Sequence, residues 1–467
     1  MLLLVLLVWL SVVLWNTAKP LPPGTHIVSQ TARLSEADVE FLYESPQHRD
    51  SAQPEDSPRH DEPPQIQEPP RYQDSPRRQG PLAEELAAVD HAEQLIVIDR
   101  SPVSPELARH LLARKRQRPN LKIVAVTDPG NEAFGGSAPS ILASLEEAGA
   151  IVARVRLDRL RDSNPLYSGL WRLVFGWWSD PFDEGPGDLT LAAWSRMRNF
   201  KADQRQLVVA DDGTGGWVAS LRSSDDAPVG NAEASSDSRP AAAAGLVLHG
   251  AMARAMIAGE LPIAAWSTGD DRLPSSPRME GRGVGSIDAR FVTEGAIEGA
   301  LLDAIAAAGN GDQICVAVRN LSDRRLIAAM SRAAARGAHL QVLLARDPMP
   351  NQAVAGELLA EAGGGIEIRW YPAGYPVPHS GLLLVRHGAD MWMNWGSADF
   401  TRRNLGDLNL EAAVELRMPV RSAPARAAAE YFAEQWSSAS ADAGFAPASI
   451  TAYWRYRFGE ATGLFSF

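Results

Sequence analysis

His379-Ser380-Gly381-Leu382-Leu383-Leu384-Val385-Arg386, a turn at His387-Gly388, and Met391-Trp392-Met393-Asn394-Trp395 open the stretch on which the reading of this chain turns. It runs on through Gly396-Ser397-Ala398-Asp399-Phe400-Thr401-Arg402-Arg403-Asn404-Leu405 to Asn409-Leu410-Glu411. Two apolar runs around a turn predict a buried β-hairpin, with polar groups where its strands open. The same form occurs earlier. Gln206-Leu207-Val208-Val209-Ala210-Asp211, a turn at Asp212-Gly213, and Trp217-Val218-Ala219-Ser220 also read as strand, turn and strand. Setting Gln204 against His379 puts the copies 175 residues apart, a plausible length for one lobe of a duplicated chain.

Outward from both hairpins, strand and helix alternate. In the first half, strands are expected at Gln94–Asp99, Leu121–Thr127, Ile151–Leu157 and Ala244–Leu248. Helices are expected at Pro105–Arg116, Ser140–Ala148 and Met252–Ala258, with Ile263–Ser267 a separate apolar run. The second half repeats the pattern: helix Gly295–Ala308, strand Gln313–Val318, helix Asp323–Arg336, strand Leu340–Leu344, helix Ala353–Ala362, strand Ile366–Trp370, the hairpin, and a closing helix at Ala425–Trp436. The expected fold is α/β, with two pseudo-twofold-related lobes, each a mixed sheet flanked by helices, sharing a central cleft. The divisions are an N-terminal apolar segment 1–18, a tether 19–81, a first lobe 82–270, a polar linker 271–285 and a second lobe 286–467.

The 467 residues suffice for such a pair, and 45% hydrophobic with 22% charged is an ordinary globular balance. A net charge of −12 argues against a broad nucleic-acid-binding face, so no nucleic acid is expected as a partner. Cys315 is the one cysteine, which excludes an intrachain disulfide and predicts an inert buried thiol. The nine histidines show no metal-ligand spacing, so neither metal nor cofactor is expected. Met1 to Trp15 carry no charge and span roughly 22 Å as a helix, short of a hydrocarbon core of about 30 Å. With no basic n-region and no cleavage site, an uncleaved membrane anchor is favoured over a signal peptide. Lys19 to Pro81 is rich in Pro, Gln, Asp, Glu, Arg and Ser and reads as a disordered tether, with Val39 to Tyr43 a patch that could dock on the lobes.

The hairpin stretch resembles the second catalytic half of the phospholipase D superfamily, in which HxKxxxxD precedes GSxN and a later Asn-x-Glu. Asn199-Phe200-Lys201-Ala202-Asp203-Gln204-Arg205-Gln206, followed by a strand and Asp211, resembles the first half. Four letters of these motifs differ: Gln204 stands where histidine belongs, Gln206 and Gly381 where lysines belong, and Arg386 where the second aspartate belongs. Asp399 further replaces the asparagine of GSxN. The resemblance covers about Leu82 to Phe467. It implies a phosphohistidine mechanism in which one histidine attacks phosphorus, a second protonates the leaving oxygen, and lysines and asparagines neutralise the phosphoryl oxygens.

On that resemblance the catalytic positions are His379, Asp211, the degenerate Gln204 and Gln206, and Glu411. The phosphate-binding candidates are Ser397, Asp399, Asn409, Arg205 and Arg402, with Arg403 beside them. Glutamine neither attacks phosphorus nor carries a proton, so the expectation is a binder of phospholipid or another phosphodiester with lost or strongly reduced catalysis. The alternatives are an active phospholipase D or phosphatidyltransferase of the cardiolipin-synthase kind using His379, and an envelope scaffold whose cleft is irrelevant. The resemblance implies a bacterial inner-membrane protein held by a single N-terminal anchor with its soluble part periplasmic. Two lobes in one chain complete the cleft in a monomer and leave higher oligomers open. Trp171, Phe175 and Trp178 at helical spacing read as a core stripe or an acyl-binding wall. Tyr453-Trp454-Arg455-Tyr456-Arg457-Phe458 reads as packing on the second lobe, and Gly281 to Gly285 as linker.

Overall fold

The computed structural model describes residues 2–44, 80–130, 139–174, 201–223, 243–277, 283–346, 349–361, 364–372, 377–440 and 450–462. Most of the proline-rich stretch, Phe175, Trp178, Gly281 and Arg282 lie outside the described residues. The strands are β1 (Gln30–Leu34), β2 (Val39–Tyr43), β3 (Leu95–Asp99), β4 (Lys122–Thr127), β5 (Ile151–Arg154), β6 (Leu207–Asp211), β7 (Trp217–Arg222) and β8 (Ala244–His249). The second half supplies β9 (Ile287–Thr293), β10 (Gln313–Val318), β11 (His339–Leu344), β12 (Ile366–Trp370), β13 (Gly381–His387), β14 (Asp390–Gly396) and β15 (Ala412–Pro419).

They form a 7-stranded sheet in the order β2-β8-β7-β6-β3-β4-β5 and an 8-stranded sheet in the order β1-β9-β15-β14-β13-β10-β11-β12. Leaving out β1, the two orders correspond strand for strand. In each sheet the three strands joined by helices are parallel and the hairpin strands antiparallel. The duplication read from the two hairpins is therefore the architecture of the protein. β3 is buried at every position, as expected of a central strand covered on both faces.

Outer helices cover one face of each sheet. Leu86, Val89, Leu107, Leu111 and Leu142 pack on Ile96 and Ile98 of the first. Ile297, Leu301, Leu326, Met330 and Leu358 pack on the second. The inner faces share one core, in which Val97, Val209 and Leu221 meet Phe291, Met393, Trp395 and Val414. Two helices that each follow the last strand of a lobe, Ala251–Thr268 and Ala423–Ser438, join this core. The first continues through Pro262, so the run 263–267 belongs to that helix and is not a separate element. Proline in a helix interior forfeits a hydrogen bond. Burial of ten residues of this helix outweighs that loss.

The segment read as a tether departs from expectation. Residues 30–34 add β1 to the edge of the second sheet, and β2 forms the edge strand of the first. One short run of chain thus pairs with both lobes. The docking expected of Val39 to Tyr43 is met by β2, whereas the pairing of residues 30–34 is a tertiary outcome that local pattern does not reveal. Phe41 of β2 reaches the interlobe core, its ring 5.1 Å from Trp395 and 5.6 Å from Tyr431. The anchor expected at the N-terminus is an apolar helix, Leu2–Ala18, but no described helix is long and apolar enough to cross a membrane. Phe41→Ala is expected to cost about 3–5 kcal/mol, read as a lowered midpoint of chemical unfolding. An unchanged midpoint would show that the strap carries no packing energy.

Candidate active-site cleft

The polar ends of both hairpins meet at the lobe boundary. Residues 202–204 of the first lobe run beside 409–411 of the second as a short parallel bridge. The Gln204 amide donates to the Leu410 carbonyl at 2.9 Å, and the Leu410 amide donates to the Ala202 carbonyl at 2.9 Å. Asn409 accepts the Ala202 amide on Oδ1 at 3.1 Å, and its Nδ2 is buried without a partner among the described residues. The Gln204 side chain accepts from Asn404 Nδ2 at 2.5 Å, and the same nitrogen lies 2.6 Å from Glu411 Oε1. The Ser397 hydroxyl donates to the other Glu411 oxygen. Gln204, Asn404, Glu411 and Ser397 therefore form one polar line across the boundary. Burial pushes the Glu411 carboxyl well above the usual range, although Ser397 and Asn404 donate to it.

His379 precedes β13 on the same open end. Its ring contacts the guanidinium of Arg319, whose Nη1 is 3.1 Å from Nδ1 and also touches Nε2. Burial, aided by Arg319, pulls the imidazole down to about 3, so it is neutral near pH 7. No hydrogen bond joins His379 to Gln204 among the described residues. Asp399 accepts from the backbone amide of Asn320 at 3.2 Å and from its Nδ2 at 2.6 Å. Arg319 and Asn320 directly follow β10, where sequence reading passed over them; the signal was two polar residues after the apolar run 314–318.

The positions that depart from the motif are tightly packed at Gln206 and Gly381. Gln206 is buried, donating to the Ser101 carbonyl at 2.9 Å and accepting from Arg100 at 3.2 Å. Arg100 in turn holds Glu85 at 2.7 Å. At Gly381 a Cβ would run into the Ala398 carbonyl oxygen and come within 2.9 Å of the Phe400 ring, so no lysine fits while that backbone stays.

Two sequence candidates sit elsewhere. Asp211 is at the far end of β6, on the order of 20 Å from Gln204 at about 3.3 Å per residue. There its carboxylate accepts the amides of Glu93, Gln94, Leu95 and Gly213 at 2.8–3.1 Å. It fastens a turn. Arg386 is the corresponding position of β13 and is exposed. In the second lobe it is Asp312, one residue before β10, that accepts from the Gly309 amide and meets His387.

Arg205, expected to hold phosphate, is wholly buried and committed inside the protein. It lies 2.7 Å from Glu260 and 2.6 Å from Glu294, and donates to the Gly24 carbonyl at 3.0 Å. Glu260 belongs to the first lobe and Glu294 to the second. Glu294 also accepts the amides of His26 at 2.6 Å and Glu411 at 3.1 Å. Burial opposes the guanidinium charge, but the two glutamates hold it far above its ordinary range. Burial pushes Asp203 up to about 8, with Asp128 adding to the rise and Arg205 pulling against it. Arg402 donates to the Ser163 carbonyl at 2.7 Å, another tie between the lobes.

Two outcomes follow. The folded-state pKa of His379 lies below its unfolded value of about 6.5. As pH falls below that value the unfolded chain takes up a proton that the folded one refuses, and stability declines toward pH 3 by at most about 1.4 kcal/mol per unit. His379→Gln should remove that component, so urea midpoints of the two proteins should converge in favour of the variant between pH 7 and 4.5. Parallel pH profiles would contradict the burial of a neutral ring. Gly381→Ala should cost about 1–3 kcal/mol by overpacking, measured as loss of thermal stability.

Comparison with known proteins places this geometry. Residues 301–436 match the family model described as cardiolipin synthase, PLD-like domain. No curated protein matches the chain. Phosphatidylserine synthase from Haemophilus influenzae Rd KW20 is 10% identical with a TM-score of 0.55, covering 97% of this chain and 98% of its own. Nuc from Salmonella typhimurium, a phospholipase D family member, is 19% identical with a TM-score of 0.27, covering 32% of this chain and 97% of its own. Polyphosphate kinase from Porphyromonas gingivalis is 13% identical with a TM-score of 0.41 over 70% of this chain, which spans only 41% of that enzyme. The synthase shares the fold from end to end, lobe for lobe. Residues 301–436 are thus similar to a cardiolipin synthase PLD-like domain, and the whole chain shares the two-lobed fold of the Haemophilus synthase.

Proposed function

We propose that this phospholipase D-like protein binds a phosphodiester in its cleft, with a phospholipid headgroup at a membrane as the ligand, and turns it over slowly or not at all. The observation that carries the reading is the Gln204 amide bonded to Asn404 where the first-lobe histidine belongs. An amide has no lone pair basic enough to attack phosphorus and no proton to give the leaving oxygen. Both lysine positions support the same reading, Gln206 through its bonds to Arg100 and Ser101 and Gly381 through its tight fit against Ala398. Arg319, beside His379, is a cation at the open end of the second hairpin that could meet a phosphoryl oxygen through a forked bond.

A second reading keeps some chemistry, because His379 is neutral and an imidazole must be neutral to attack. On that reading a phosphoenzyme would form on His379 and vanish in His379→Asn.

The test combines turnover and binding. Purified protein should release no product from phosphatidylglycerol or phosphatidylcholine at an ordinary enzymatic rate. Binding of a short-chain phosphatidylglycerol should weaken on the order of tenfold in Arg319→Ala, the loss of one charge-assisted contact of about 1.5 kcal/mol. Restoring the four letters together, as Gln204→His, Gln206→Lys, Gly381→Lys and Arg386→Asp, should leave the protein silent, because the surroundings of Gln206 and Gly381 do not accept a lysine. Brisk turnover that survives Gln204→Ala would overturn the reading.

A further inference from the structure

The helix Leu2–Ala18 carries no charged residue, and it is not a free tether. It lies against the helix Pro165–Val174 of the first lobe. Trp9 Nε1 donates to the Leu166 carbonyl at 3.4 Å, and Val13 is buried. A Cβ on Gly169 would come within 2.5 Å of Val13 Cγ2, so glycine is what allows the close approach. The Asn16 carbonyl accepts the Asp162 amide at 3.1 Å, the Lys19 carbonyl accepts from Arg161 at 3.1 Å, and the Lys19 ammonium bonds the Asp158 carbonyl. A few residues on, the chain is locked into the Arg205 cluster through Gly24 and His26. No slack separates this helix from the lobes.

The free side of the helix pair is mostly apolar, broken by the exposed Ser11 and Thr17. Leu3 to Val8 are all exposed, with Leu3 at 70%, and so are Leu10, Leu14 and Trp15. Leu166, Leu170, Leu173 and Val174 continue the surface at helical spacing on the second helix. Roughly 80 Å² from each of these half-exposed side chains gives a patch on the order of 1,000 Å², beyond the ~300–600 Å² of typical monomers. Six consecutive exposed residues cover every azimuth of a helix with 3.6 residues per turn. A second protein chain can cover one side of such a helix, whereas fluid lipid can cover all sides. At the end nearest the lobes, the Lys19 ammonium meets the Asp158 carbonyl and Arg156 lies 3.6 Å from the Asp158 carboxylate, with Arg159 and Arg161 next in the chain, a basic run suited to phosphate headgroups.

We propose that these two helices form a rigid wedge that enters one leaflet of a lipid bilayer without crossing it and fixes the cleft at the membrane surface. The lengths agree, since 17 and 10 helical residues span about 25 and 15 Å against a hydrocarbon core of about 30 Å. The loop that carries the wedge also borders the site. Lys201, three residues before Gln204, donates to the Leu160 carbonyl at 2.6 Å, and Arg402 reaches Ser163. The orientation of the cleft rests on the phosphodiester reading above, while docking itself does not.

The test labels introduced cysteines with an environment-sensitive NBD probe in the full-length chain. Cys315 gives little background, because burial pushes its thiol up to about 12. Leu6→Cys, Leu170→Cys and an exposed control, Lys122→Cys, are mixed with vesicles of phosphatidylglycerol and phosphatidylcholine bearing doxyl groups at two depths. Positions 6 and 170 should both show a several-fold rise in emission, a blue shift and quenching, while position 122 stays aqueous. The same responses should appear in Arg319→Ala, which separates docking from ligand binding in the cleft. A response at 6 without one at 170 would mean that the helix acts alone as a tether. Silence at both would exclude the bilayer, and lipid-independent crosslinking between copies through position 6 would assign the patch to a second copy; each would overturn the proposal.

Discussion

One buried arginine between two carboxylates holds this molecule together. Arg205 reaches Glu260 in its own lobe and Glu294 in the other, and neither partner has access to water. Removing three charges from solvent costs several kcal/mol for each, so the cluster is tolerable only with near-ideal geometry and further hydrogen bonds. Those bonds are present. Glu294 accepts amides from the N-terminal strap and from Glu411, and Arg205 also donates to the Gly24 carbonyl. Three separate stretches of chain therefore converge on one guanidinium, next to Gln204. The cleft inherits its rigidity from this point. Asp99 and Asp203 add two more buried acids, and burial pushes both up, so the cluster need not carry all of their charge.

The altered motif letters gain meaning from that frame. A degenerate catalytic residue in an otherwise intact pocket could be reversed by one substitution. Here the neighbours have adapted as well. Gln206 is one member of a buried chain running through Arg100 to Glu85, with Arg222 3.5 Å from the same carboxylate. A lysine there would set a further cation among buried arginines. At Gly381 the obstacle is steric, because the Ala398 carbonyl occupies the space of a side chain. What faces the boundary is a line of neutral or protonatable groups, Gln204, Asn404, Glu411 and Ser397. Such a line can hold a polar ligand, with His379 and Arg319 at the same open end of the second hairpin.

Much of the architecture was legible because both hairpins announce themselves twice over, by apolar runs of strand length and by a constant offset between the copies. Central strands such as β3 and β10 need no context to be recognised. The strap was legible only in its apolar patch Val39 to Tyr43. Its two five-residue strands gain their stability from edges supplied by β9 and β8, hundreds of residues away. The helix through Pro262 was hidden because burial against two sheets overrides the local penalty. For the site, motif spacing named His379, Gln204, Ser397, Asn409 and Glu411 as candidates, and the last four meet at the lobe boundary, but spacing does not tell which positions face it. Asp211 matches its motif and serves a turn, while Arg205 matches its motif and serves the interlobe cluster. Arg319 and Asn320 carry no motif, and only the sheet places them beside His379 and Asp399.

The dependence of the whole on Arg205 is best tested by a double-mutant cycle with Arg205→Met and Glu294→Gln, read as unfolding free energy in denaturant. Residues that share a buried charge cluster should couple, and the account predicts an interaction energy above about 2 kcal/mol. Effects that add within about 0.5 kcal/mol would mean that the two lobes are held by packing alone and that the central constraint lies elsewhere.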